Sequence, residues 1–174
     1  MLLYSDIISG DELFSDAFPM KEVPGGYEVD CKMITIDAVN VDTGANASAE
    51  EADEGTLDAA ETVNNVVYSF RLASTNFDKK SYMTYIKGYM KDLEKKLAEP
   101  QGDEDEAKTK ERVDKFKKDA AGLVKKILGN FKDYEFFTGE SMNPEGMVAL
   151  LNYREDGVTP FFTFFADGVK KQKL

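Results

Sequence analysis

Residues Thr138–Asp156 read TGESMNPEGMVALLNYRED, and the reading of this stretch decides the fold. Glu140 and Glu145 bracket a turn-forming Asn143-Pro144 pair, the apolar run Met147–Leu151 follows, and Arg154-Glu155-Asp156 closes the segment. Two carboxylates beside a tight turn suit an acid/base pair, and equally the solvated ends of two strands. The punctuation favours strands. Asn143, Pro144 and Gly146 are turn formers, and a short run apolar on both faces fits a central strand. The neighbouring runs YEFF (Tyr134–Phe137) and PFFTFFA (Pro160–Ala166) are set off by Gly139 and Asp156-Gly157, which completes a β-meander.

Upstream the period changes from two to 3.6. Asp78 or Ser81 can cap a helix whose apolar residues are Tyr82, Tyr85, Ile86, Tyr89, Met90, Leu93 and Leu97. Their spacing of three and four makes one buried stripe. Pro100-Gln101-Gly102 stops this helix, and the acidic run Asp103–Glu106 suits the positive end of the next. Val113, Phe116, Ala120, Leu123, Val124, Ile127, Leu128 and Phe131 give the second helix its stripe. Lys87, Lys91 and Lys95 share an outer face of the first helix, while Lys117, Lys118, Lys125 and Lys126 supply charge on the second.

Nearer the N-terminus, Tyr27–Ile36 (YEVDCKMITI) and Val66–Leu72 (VVYSFRL) alternate and are rich in β-branched and aromatic residues, which predicts two strands. Between them, Asn40–Thr62 (NVDTGANASAEEADEGTLDAAET) holds almost nothing large and apolar. Such a stretch cannot bury enough surface to offset backbone ordering, so a mobile acidic loop is expected. Met20, Met33, Met83, Met90, Met142 and Met147 are expected as core or near-core fillers, and Cys31 as a buried, inert thiol. The expectation is one α+β domain over residues 1–174, with a basic helical hairpin at 78–132 and the acidic loop at 40–62.

Composition excludes much chemistry. The 174 residues contain no histidine and one cysteine, so Ser-His-Asp triads, Cys-His pairs, HExxH zinc sites, thiolate zinc sites and intrachain disulfides cannot form. Neither GxxxxGK[ST] nor GxGxxG occurs. A binding protein is favoured over an enzyme. No signal-peptide pattern opens the chain and no run of about 18 apolar residues interrupts it, so a cytoplasmic protein is expected. Of 22 basic residues, 15 lie between Asp78 and Lys132 against 11 acidic ones, whereas the remainder carries 7 basic and 22 acidic residues. This asymmetry suggests two surfaces with different partners, and the overall acidity argues against nucleic acid.

Three candidate sites follow. Asp42, Asn46, Glu50, Glu51, Asp53 and Glu54 offer oxygen ligands for weakly bound calcium, although Gly44 at the third position breaks an EF-hand pattern; a solvated linker is the alternative. The lysine-faced hairpin suits an acidic partner, against the alternative of a merely solvated face. Asp11-Glu12, after Ser9-Gly10, is a carboxylate pair that capping or solvation would also explain.

The stretch GESMNPEGMVALLNYREDGVTPFFTFFADG (Gly139–Gly168) resembles the C-terminal motif of the translationally controlled tumour protein family. LLYSDIISGDELFSDAF (Leu2–Phe18), GANASAEEADEGT (Gly44–Thr56), YIKGYMKDLEKKL (Tyr85–Leu97) and ILGNFKDYEFF (Ile127–Phe137) resemble it in the same order, so the likeness covers essentially the whole chain. The resemblance implies a β-tent of small, mainly antiparallel sheets with an inserted helical hairpin and a mobile loop. It implies a non-enzymatic regulator of growth and survival with no required cofactor. The expected partners are calcium, tubulin and microtubules, small GTPases of the Ras/Rheb type and anti-apoptotic Bcl-type proteins. The family's tubulin-binding region corresponds to residues 78–132, and its GTPase-facing acidic residue to Glu12, beside Asp11. Relatives by fold include a zinc-binding chaperone of Rab GTPases and methionine sulfoxide reductases, whose cysteine chemistry this chain lacks. Some animal members end in a cysteine proposed to support dimers; here the sequence ends VKKQKL.

Overall fold

The computed structural model describes residues 1–36, 61–100 and 102–173. It is an α+β fold in which every strand pairing is antiparallel. Strands β1 (Leu2–Asp6) and β2 (Glu12–Ser15) join β11 (Val169–Lys173) in a three-stranded sheet with β1 in the middle. The six-stranded sheet runs β3 (Met20–Val23), β4 (Gly26–Asp30), β10 (Pro160–Phe165), β9 (Ala149–Tyr153), β8 (Glu135–Thr138), β7 (Ala73–Thr75). A separate ribbon pairs β5 (Met33–Ile36) with β6 (Glu61–Asn64).

The meander expected at the C-terminal end is present as β8-β9-β10. All six residues of β10 are buried, as a strand covered on both faces requires. Phe14 stacks at 4.4 Å on both Tyr4 and Phe164, so aromatic packing joins the three-stranded sheet to the six-stranded one. β4 approaches β10 so closely at Gly26 that a Cβ there would lie 2.6 Å from the Phe164 carbonyl oxygen.

Helices α2 (Lys79–Leu97) and α3 (Glu106–Gly129) form the hairpin. Asp78 starts α2 through a reciprocal capping box: Ser81 N donates to Asp78 Oδ1 at 2.6 Å, and Asp78 N donates to Ser81 Oγ at 3.0 Å. Asp105 caps α3 by accepting from Lys108 N at 2.8 Å. Arg112 closes the connection, donating to both Glu104 carboxylate oxygens and to Glu99 O. The buried stripe of α2 is Tyr82, Ile86, Tyr89, Leu93 and Leu97, and α3 buries Val113, Phe116, Ala120, Leu123 and Ile127, all within the predicted positions. Tyr82 packs on Phe131 and Phe136, and Tyr89 on Phe165, which seats the hairpin on the six-stranded sheet. Among the described residues, no helix is long and apolar enough to cross a membrane.

Several expectations are corrected. Val66–Leu72 is not a strand: residues Asn65–Phe70 form a short helix, α1. The Asn64 side chain accepts from Val66 N and Val67 N, while Arg71 ends the helix in a left-handed conformation with φ 54°. These terminal contacts override the β propensity of the sequence VVYSF. Tyr27–Ile36 is broken at Cys31-Lys32 into β4 and β5, which belong to different sheets. The Cys31 amide turns to Pro160 O at 2.8 Å, and the Lys32 amide to Asn65 Oδ1 at 3.0 Å. Met147 is buried as expected, but Met33, Met83 and Met142 are exposed: Met33 lies in the thin β5–β6 ribbon, Met83 on the outer face of α2, and Met142 at a turn with φ 55°. Glu61 and Thr62, expected in the acidic loop, open strand β6.

Candidate functional site

The turn Asn143–Gly146 is built as its sequence predicts. Gly146 N donates to Asn143 O at 3.1 Å, and Glu145 N to Asn143 Oδ1 at 2.9 Å. Beyond it, Met147 N donates to the buried carboxylate of Asp6 at 2.7 Å. Tyr85 of α2 clamps the same backbone, donating to Gly146 O at 2.7 Å and accepting from Val148 N at 3.0 Å. The two glutamates of the stretch are not a catalytic pair: Glu140 makes an exposed ion pair with Arg71 at 3.1 Å, and the Glu145 side chain is exposed. At the far end, Arg154 donates to Glu28 and Asp30 and stacks on Phe161, with Cζ 3.9 Å from the ring centroid. This segment is scaffold.

The carboxylates of Asp11 and Glu12 have separate surroundings. Asp11 Oδ2 accepts from Ser141 Oγ at 2.6 Å and Ser141 N at 3.3 Å. Its carboxylate rests on Gly139, where any Cβ would collide with it. Glu12 opens β2 opposite Ser5, where the β1–β2 register shifts past Leu13, with its side chain exposed. Asp11 is therefore a staple between two loops, and Glu12 is available to solvent. Asp6 and Tyr85 hold this region together; the sequence placed Tyr85 only on the apolar stripe of α2 and did not single out Asp6, for which the Asp-x-x-Ser-Gly turn pattern at Asp6–Gly10 was the available signal.

The hairpin lysines divide into groups. Lys87 and Lys91 from α2 and Lys117 and Lys125 from α3 rim a groove of about 620 Å³ between the two helices. Its floor is apolar, with Ile86, Phe116 and Ala120 buried and Met90 and Val124 half-buried. Glu94 bridges to Lys117 across it at 2.8 Å. This pairing raises the Lys117 pKa and keeps the ammonium charged. Lys126 turns instead to the sheet, with its Nζ 3.7 Å from the buried Glu28. Lys95 and Lys118 are exposed and do not line the groove. A second cleft, of about 550 Å³, lies between α2 and the β7 end of the large sheet, walled by Phe77, Tyr85, Met142 and Pro144.

The calcium candidates Asp42, Asn46, Glu50, Glu51, Asp53 and Glu54 lie outside the described residues. Among the described residues, no three Asp, Glu or Cys side chains are grouped so as to hold a metal ion. Cys31 is buried, and burial pushes its thiol up to about 11, away from the thiolate that nucleophilic chemistry needs.

Comparison with known proteins agrees with this geometry. The sequence profile of the family described as Translationally controlled tumour protein matches residues 1–170. The Translationally-controlled tumor protein homolog of Schizosaccharomyces pombe is 57% identical over 176 residues, covering 100% of both chains. The homolog of Candida albicans is 56% identical over 175 residues, also covering 100% of both. Among solved structures, the Translationally Controlled Tumor-associated Protein p23fyp of S. pombe superposes with a TM-score of 0.81 at 57% identity, over 100% of each chain. A Translationally-controlled tumor protein from Caenorhabditis elegans gives 0.70 at 33% identity, over 100% of this chain and 99% of that one.

Proposed function

Because the chain belongs to the translationally controlled tumour protein family, we propose that it is a non-enzymatic, cytoplasmic regulatory protein that binds acidic protein partners, tubulin among them, through the hairpin. The observation that carries this reading is the convergence of Lys87, Lys91, Lys117 and Lys125 on one groove in an otherwise acidic molecule. Exposed lysines attract a polyanionic segment over a distance set by ionic strength, about 8 Å at physiological salt. Microtubule co-sedimentation across a salt series tests it. Binding should fall steeply with salt and be lost in Lys87→Glu/Lys91→Glu/Lys125→Glu. Binding indifferent to both treatments rejects the charge account.

A second reading is favoured by the exposure of Glu12 next to a fixed Asp11. A carboxylate presented from a rigid strand end suits contact with a basic or metal-containing surface, such as a Ras/Rheb-type GTPase. Nucleotide-release kinetics with the wild type and Glu12→Val test it, and identical rates with and without the protein would remove it. Calcium binding by the carboxylates at 42–54 is a third proposal. Chemical-shift changes in those residues on calcium titration are its expected signature.

A further inference from the structure

We propose that the groove between α2 and α3 seats an acidic amphipathic helix of a partner protein, which docks as a third helix of the hairpin. The proposal rests on the hairpin being the binding face, and it adds what the lysines alone do not specify: the partner's conformation and its apolar anchors.

The groove joins two properties that a solvated face does not need together. Its floor and walls are apolar, with Met90 and Val124 only half covered by their own helices. Its rims are cationic on both sides, from Lys87 and Lys91 on one helix and Lys117 and Lys125 on the other. Among the described residues Glu94 is the one acidic side chain lining it, and Lys117 holds it. A chain that is only polyanionic would satisfy the rims and leave the floor wet. An apolar helix would fill the floor and gain nothing from the rims. A helix with an apolar stripe and acidic flanks satisfies both.

Backbone chemistry selects the helix over an extended peptide. The N–H and C=O groups in the middle of α2 and α3 are already paired along their own axes, so they offer no edge for strand addition. A docking helix brings its backbone bonds with it, and its side-chain ridges can pack into the groove between two others. The contributing residues run from Ile86 to Glu94 and from Phe116 to Leu128. At 1.5 Å per residue this is about 12 to 18 Å, or two to three helical turns. The excess of 22 acidic over 7 basic residues outside the hairpin repels such a partner elsewhere and confines it to this face.

The test uses the full chain and three labelled synthetic peptides of about 14 residues, roughly 21 Å as a helix. One carries leucine at helical i, i+3, i+4, i+7 spacing with glutamate on both flanks, one is a scramble of it, and one is polyglutamate. Fluorescence anisotropy should show the amphipathic peptide binding about tenfold or more tightly than the scramble, as burial of a leucine or two would give. Ala121→Trp, which fills the groove from an exposed position, should abolish that advantage. Amide shift mapping on the unaltered protein should place the peptide over Ile86, Met90 and Val124, and does not depend on any variant folding. Equal binding of all three peptides, or shifts that avoid these residues, overturns the helix proposal while leaving the charge reading intact. Failure of all three to bind at low salt overturns both.

Discussion

The Asp6 carboxylate accepts the Met147 amide proton at 2.7 Å, across 141 residues of chain. The same carboxylate takes Ile8 N at 2.9 Å and Ser9 Oγ at 2.8 Å, so it both shapes its own turn and fixes the start of the β9 segment. Asp6 is almost wholly buried. Removing it strands a buried N–H of Met147 and loses three charge-assisted bonds. Asp6→Ala is expected to lower unfolding free energy by about 2 to 3 kcal/mol, and Asp6→Asn by less, because the amide oxygen remains an acceptor. Urea denaturation of the three proteins checks the order.

Two glycines should respond in opposite directions. A Cβ at Gly26 would press on the Phe164 carbonyl, which is backbone inside a fully buried strand and has no room to move. Gly26→Ala should destabilise by about 1 to 3 kcal/mol. Gly122 lies inside α3, and a Cβ there meets nothing within 4 Å. Gly122→Ala should stabilise by about 0.5 to 1 kcal/mol through helix propensity. Thermal midpoints moving in the same direction for both would contradict this account.

The thiol of Cys31 gives a pH dependence with a defined sign. Burial moves its pKa from 9.0 to about 11. Between those values the unfolded chain gives up the proton and the folded chain retains it. The contribution to stability is therefore full below about pH 9 and is lost as pH rises towards 11. Cys31→Ala should flatten this part of the alkaline stability curve. At pH 8 the native thiol should react with a disulfide reagent only as fast as the protein opens, a rate that urea will accelerate.

Lys125 and Lys126 are chain neighbours with different duties. Lys125 rims the groove, whereas Lys126 approaches the buried Glu28. Lys125→Glu should weaken binding of an acidic peptide several-fold and leave the unfolding free energy within about 0.5 kcal/mol of wild type. Lys126→Glu should lower the unfolding free energy more and affect binding less, since it sets a like charge beside Glu28. Equal effects of the two on binding would show that charge acts without regard to position.

The hairpin was legible because its information is local: apolar residues three and four apart meet on one helix whatever lies elsewhere, and Asp78 caps its own first turn. The strands of the meander were legible for the same reason. Other features depend on remote partners. Strand β11 is VKKQK, with four of five residues exposed, and nothing in its pattern announces pairing with β1. The break at Cys31 follows from where Pro160 and Asn65 lie in space. Helix α1 was obscured because its sequence favours a strand while Asn64 and Arg71, at its ends, determine the outcome. The lysines could be counted from the sequence, but which four shared a groove depended on how the two helices cross.

Strand β1 lies between β2 and β11, and every one of its five residues has a register partner in β11. On the ribosome β1 is made well before β11, with the other strands and the hairpin between them. Strand β1 must wait, with one edge of its backbone unpaired, until β11 emerges. The three-stranded sheet thus closes late, after the elements that lie between β1 and β11 in the chain have been made. A nascent chain stalled before Val169 would present that open edge to chaperones or to other nascent chains.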